Sequence, residues 1–122
     1  MSSQFETDAA AFEDDYFAIY GTAVTLRRGQ QSQQMTAIAE ADSWEVQTDE
    51  GGTIEFVTRN YMIRAGEFAL GGAATEPQRG DIIEETIAGQ AKQFELLTDQ
   101  GRACWSRCGP GGSVFYLRTK EV

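Results

Sequence analysis

From Phe5 to Tyr20 the apolar residues Phe5, Ala9, Phe12, Tyr16, Ile19 and Tyr20 recur at intervals of three and four. That spacing paints one stripe of an α-helix, with Glu6, Asp8, Glu13, Asp14 and Asp15 largely occupying the rest of its circumference. Ser2 or Ser3 can cap its start, early acidic residues suit the helix dipole, and Gly21 is expected to stop it in the left-handed conformation. After Gly21 the period becomes two. Val24 and Leu26 alternate with Thr25 and Arg27, as in a strand with one face on a core. The polar run Gly29-Gln30-Gln31-Ser32-Gln33-Gln34 then reverses the chain. Met35 to Ala41 predicts a second strand and Trp44 to Thr48 a third, and Asp49-Glu50-Gly51-Gly52 turns into a fourth from Thr53 to Ile63.

Ala65 to Arg79 has few β-branched residues and several glycines, so it reads as a long connection with Phe68 and Leu70 as apolar anchors. A connection of that length usually has a task. Ile82 to Thr86 and Gln93 to Leu97 form a hairpin about Gly89, another strand surrounds Cys104 and Trp105, and Val114 to Lys120 is the last. One helix at about 5–20 followed by seven or so antiparallel strands over about 22–120 is a β-rich α+β pattern. It predicts a small antiparallel β-barrel or sandwich, with one N-terminal α-helix closing an opening. The 122 residues suit a single domain, 1–122, whose folding hides roughly two-thirds of the surface of the unfolded chain. No internal repeat stands out, nor any low-complexity tract beyond the glutamine cluster.

Composition adds to this picture. Thirteen glycines against two prolines agree with many tight turns. Nineteen acidic residues against ten basic give a net charge of −9, and no Lys or Arg precedes Arg27. An acidic surface of that kind repels phosphate backbones and argues against sequence-specific DNA binding, yet it suits a wall past which DNA slides without sticking. Residues 1–20 contain no basic leader and no continuous apolar run, so neither a signal peptide nor a membrane anchor is expected. In the cytoplasm that this implies, Cys104 and Cys108 are expected as free thiols.

The candidate chemistry is thin. Histidine, the commonest general base, is absent. Cys104 and Cys108 supply only two of the four ligands a structural zinc site needs, and Arg107 is the sole nearby reason to expect an activated thiolate. Glu13-Asp14-Asp15 and Glu84-Glu85 do not converge, because adjacent helix positions splay by about 100° and adjacent strand positions face opposite ways. Gly71-Gly72-Ala73-Ala74-Thr75 lacks the Lys and Ser/Thr of a phosphate loop. Arg79-Gly80-Asp81 reads as a turn into a strand, and Trp44 and Trp105 as packing anchors without the basic groove that base stacking requires. No catalytic residue, cofactor or metal is expected, and the chain is not read as an enzyme.

The order of elements carries a resemblance. An acidic helix leads into Gly21-Thr22-Ala23-Val24-Thr25-Leu26 and a hairpin with Met35-Thr36-Ala37-Ile38. Phe68 and Leu70 follow in a connection, then Pro77-x-x-Gly80-Asp81-Ile82, the Gly89 hairpin with Phe94-Glu95-Leu96-Leu97, and Tyr116-Leu117-Arg118-Thr119-Lys120. This arrangement resembles the head-to-tail joining, or neck, proteins of tailed bacteriophages, including the lambda type. The Asp49 to Gly52 hairpin and the Cys104 to Gly112 region match no motif of that family. The resemblance implies a structural virion protein, made in the host cytoplasm, that forms a ring of identical subunits, six by expectation. The ring would lie below the portal of the DNA-filled head and help retain DNA. Its partners would be the portal or an adaptor and a tail-completion or tail-terminator protein, with DNA passing non-specifically and no membrane involved. The expected contact residues are Gln30, Gln31, Gln33, Gln34, Thr48, Asp49, Glu50, Phe68, Leu70 and Arg79, and Glu13, Asp14 and Asp15 are expected on an acidic channel or surface face.

Two other readings compete. An acidic inhibitor or DNA mimic would bind a basic partner tightly and with strong salt dependence. An enzyme with a carboxylate site would show a deep pocket of converging, pKa-perturbed acids.

Overall fold

The computed structural model describes residues 13–47, 49–97 and 103–122, with the backbone alone for 41–47, 53–58 and 110. Helix α1 covers 13–20, and the first part of the expected helix, with Phe5, Ala9 and Phe12, lies outside the described residues. Nine strands follow: β1 Thr22–Arg28, β2 Gln31–Gln47, β3 Thr53–Arg64, β4 Ala69–Leu70, β5 Ala73–Ala74, β6 Ile82–Ile87, β7 Gln90–Leu96, β8 Trp105–Cys108 and β9 Val114–Glu121. Seven of them form one antiparallel sheet in the order β3-β2-β1-β6-β7-β9-β8, and β3 also pairs with β9. That last pairing, from Thr58 with Lys120 to Arg64 with Val114, closes six strands into a barrel. Of the barrel and the sandwich, the structure is the barrel. β7 and β8 share the other edge of β9 end to end, β7 along Thr119 to Glu121 and β8 along Val114 to Leu117.

Alternation sends every second side chain inward. Val24, Leu26, Met35, Ala37, Tyr61, Ile63, Ile83, Phe94, Leu96, Phe115 and Leu117 fill the interior. One end of the barrel is plugged by the connection after β3, which is a short 3₁₀ turn and the small β4–β5 hairpin rather than a bare loop. Phe68, fully buried, and Leu70 drop from it into the core, and Phe68 meets the Phe115 ring edge-on at 5.5 Å between centroids. Arg28 holds this plug in place: its guanidinium donates to both carboxylate oxygens of buried Asp81 at 2.8 Å, to Thr75 Oγ1 and to the Glu76 carbonyl.

The other end is closed by charge. Arg59 on β3 donates to both oxygens of Glu85 on β6, at 2.8 and 3.0 Å, and the Tyr61 hydroxyl donates to Glu85 Oε1 at 2.9 Å. β3 and β6 are three strands apart either way around the barrel, so this bidentate pair spans it. The Arg59 guanidinium also lies 5.8 and 5.9 Å from the centroids of the Tyr61 and Phe94 rings.

Four expectations need correction. The helix does not close an opening. Phe17 packs against Ile38, Val114 and Met62, whose neighbours Ala37, Ile63 and Phe115 point inward, so α1 lies on the outer face of β2, β3 and β9. The expected second and third strands are one, because Asp42 and Ser43 pair with Thr58 and Val57 without a break. The glutamine run is mostly strand: Arg28 pairs with Gln31, so only Gly29 and Gln30 form the turn. Gly21 is absent from the glycines with positive φ; it is needed because a Cβ there would collide with the Phe17 carbonyl, which accepts the Gly21 N–H, and with the Thr36 methyl.

Two outcomes follow from these contacts. Glu85→Ala leaves the half-buried Arg59 cation without its partner and the Tyr61 hydroxyl without its acceptor, and lowers the unfolding free energy in urea by about 2 kcal/mol; Arg59→Leu combined with Glu85→Leu recovers most of the loss. The β6–β7 turn is Ala88-Gly89, with φ of 52° and 81°, the two left-handed residues of a type I′ hairpin. Alanine is disfavoured there, so Ala88→Asn raises stability by about 1 kcal/mol in the same measurement.

Candidate docking surface

Most described cations are held within the chain. Arg27 pairs with Glu84, Arg28 with Asp81, Arg59 with Glu85, Arg64 with Asp14 and Glu67, Lys92 with Glu121, and Arg107 with Glu76. The expected divergence of Glu84 and Glu85 is observed: Glu84 lies on the outside, where hydrogen bonds from Arg27 and Gln93 hold its carboxyl below the ordinary range, while Glu85 faces the interior. Among the described residues no three Cys, Asp or Glu side chains gather as metal ligands. None of the buried side-chain polar atoms described lacks a hydrogen-bond partner. The interior polar groups thus serve the barrel, each tied to a specific strand or loop.

Cys104 is buried in the core and Cys108 is half-buried at the end of β8, and the two are not joined by a disulfide. Burial, with the nearby Glu13 carboxylate, raises the Cys108 pKa and keeps it from acting as a ready nucleophile. Trp105 is a packing residue, its ring edge-on to Phe115 at 5.3 Å, and the side chain of Trp44 lies outside the described set. Arg79 and Gly80 form the expected turn into β6. Among the described residues no helix is long and apolar enough to cross a membrane.

The nine described residues among the expected contacts separate into three groups. Gln30, Gln31, Gln34, Asp49, Glu50 and Arg79 are exposed, on the β1–β2 turn, the start of β2, the β2–β3 turn and the turn before β6. Gln33 is half-buried and accepts the Gly72 N–H at 3.1 Å, bracing the plug. Phe68 and Leu70 are interior, so their role in packing replaces the expected role in contact, and Thr48 lies outside the described residues. Of the acidic helix face, Glu13 accepts the Ser113 hydroxyl at 2.8 Å and Asp14 takes Arg64, so both fasten α1 to the barrel. Asp15 is exposed.

Two surface features emerge that the sequence reading misses. The first is the far face of α1. Tyr16, Ile19 and Tyr20 are 39%, 72% and 60% exposed, while Phe17, absent from the expected stripe, is the buried one. Tyr16 and Tyr20 lie with ring centroids 4.7 Å apart beside a groove of about 290 Å³ lined by Ile38, Ala39, Glu40 and Met62. The second is an arm. β1 pairs with β2 only as far as Ala37, and β9 meets β3 only from Thr58, yet the β2–β3 ladder continues to Gln47 and Thr53. Asp42 to Gln47 and their partners form a two-stranded ribbon, about 20 Å long at ~3.3 Å per residue; beyond Thr58, which pairs with Lys120, its outer edges pair with no described strand. The missing break between the two expected strands is the signal that would have revealed it.

Burial first, then the hydrogen bond to Glu85, raises the pKa of the Tyr61 hydroxyl far above its ordinary 10.0, and burial with the Glu40 charge raises that of Tyr116. With Cys108, ordinarily 9.0, these groups keep protons in the folded state that the unfolded chain releases. Their contribution is whole below pH about 9 and is lost as pH rises through the raised values. The urea midpoint therefore falls steadily above pH about 9, and Tyr61→Phe removes part of the decline above pH about 10, at a cost of about 1 kcal/mol near neutrality.

A family model described as phage head-tail joining protein matches residues 5–122. No individual curated protein matches the chain.

Proposed function

Since the chain belongs to the family of phage head-tail joining proteins, we propose that it assembles as a ring of identical subunits, six by expectation, below the portal. There it would connect the DNA-filled head to the tail and help retain the packaged DNA. Its general role is structural, in the neck that joins head and tail. The observation that carries the finer reading is the family match across nearly the whole of a chain that folds as one closed barrel. A closed barrel is a stiff body with few free strand edges, and stiffness is what a load-bearing ring asks of its subunit.

Three features support the reading. A ring needs two different patches on each subunit, and the arm and the β8 edge are separate places where strand addition from a neighbour is available. The net charge of −9 gives a channel wall that does not bind passing DNA. The exposed Gln30, Gln31, Gln34, Asp49, Glu50 and Arg79 sit on turns and at a strand start, where contacts to the portal or adaptor on one side and to a tail-completion or tail-terminator protein on the other can form without unfolding the core.

Omission of this chain during phage production should yield DNA-filled heads and free tails that do not join, and adding the purified protein should restore joined particles. Imaging of the mature particle should then show a ring of this chain between portal and tail. Efficient joining without the protein, or a neck in which it is absent, would end the proposal.

A further inference from the structure

The exposed apolar residues are not scattered. Tyr16, Ile19 and Tyr20 lie within five consecutive positions of α1, and the remaining large hydrophobic exposed among the described residues is Val122 at the chain end. Two of the three line the groove whose floor is Ile38, Ala39 and Met62. A patch of this sort on a small soluble protein marks a contact surface. Its setting indicates the partner.

Asp15 flanks the patch on the helix and Glu40 lines the groove, both exposed. The arm that rises from the groove carries Asp42, Glu45, Asp49, Glu50 and Glu55, and no Lys or Arg occurs from residue 41 to 58. Glu45 and Glu55 are backbone partners in the ladder. Arg59 is engaged with Glu85 inside the barrel and Arg64 with Asp14 and Glu67, while Arg118, one strand beyond Asn60 from Glu40, donates to the Ala103 carbonyl.

We propose that the groove beside Tyr16, Ile19 and Tyr20 docks a segment of another neck protein that carries apolar anchors flanked by Lys or Arg. A second copy of this chain is the poorer occupant, since it brings a net charge of −9 and cations mostly paired within itself. Apolar anchors in the groove would supply affinity, and the carboxylate frame would supply orientation and a fast approach. The proposal rests on the neck reading and assigns one face of that role.

The test uses the full chain with two probes: DNA-filled heads made without it, and purified tails. Wild type should co-sediment with one of them. Ile19→Ser with Tyr20→Ser should weaken that binding at least about tenfold. Asp15→Lys with Glu40→Lys should weaken it by about threefold or more and reduce its salt dependence. Both double variants replace exposed side chains, so a heat-unfolding midpoint equal to wild type shows that the fold is intact. Wild-type binding that survives both double variants overturns this inference and leaves the neck reading standing. Binding tightened by charge reversal, or self-association of the free chain abolished by the serine variant, gives the groove to a second copy and also overturns it. Failure of wild type to bind either particle sinks the inference and the neck reading together.

Discussion

The rest of the structure depends on the pairing of β9 with β3. Until those strands meet, β1, β2, β3, β6 and β7 are a curled sheet with two free edges; once they meet, the inward face of every strand becomes core. The partners are far apart in sequence, Thr58 with Lys120 and Arg64 with Val114, so closure carries a large loop entropy and must be repaid by what it encloses. The enclosure is a set of interlocking rings, Phe115 against Phe68 and Trp105, and Tyr61 against Phe94. Both ends need a stopper, because a six-stranded barrel leaves its backbone rim open to water. One stopper is apolar, Phe68 and Leu70 on a connection held by Arg28 and Asp81, and the other is ionic, Arg59 with Glu85 and Tyr61.

Much of this architecture was legible in the chain, because local alternation and turn chemistry decide strands. Val24 and Leu26 do face the core, Gly89 does turn β6 into β7, and Phe68 and Leu70 do anchor the connection. Closure was not legible, since no local pattern reports which distant strand completes a ring. The inward acid was hidden for a different reason: Ile82-Ile83-Glu84-Glu85 doubles both its apolar and its acidic members, so a period of two fits either face equally well. Only the barrel decides that Ile83 and Glu85 point in. The helix shows the same limit, because spacing identifies apolar positions on a cylinder but not the side that meets the sheet. Phe17 makes that contact, packed against Ile38, Met62 and Val114 with the Arg64 guanidinium 4.9 Å from its ring centroid.

The distribution of charge follows from the same closure. Among the described residues six cations are committed to carboxylates that tie one element to another: β1 to β6, β1 to the turn before β6, β3 to β6, β3 to α1, β7 to β9 and β8 to the segment before β6. Several of these pairs are exposed and individually contribute little, but together they leave the surface with uncompensated acids. The excess is therefore a property of the exterior, and it sets how the exterior meets other macromolecules. A DNA duplex is repelled, another copy is tolerated only through apolar or backbone contacts, and a basic protein surface is attracted.

The arm shows why such a surface is directional. An isolated two-stranded ribbon is marginal in water, and this one extends beyond both of its flanking strands. Nothing in the barrel requires the extension, since closure is complete at Thr58 with Lys120. A segment that carries five acids from Asp42 to Glu55 and presents open backbone edges on both sides is well suited to an external contact. The groove beside α1 opens at its root, lined by Ile38, Ala39 and Glu40 of β2, the strand that continues into the arm. The groove and the arm thus share one continuous strand.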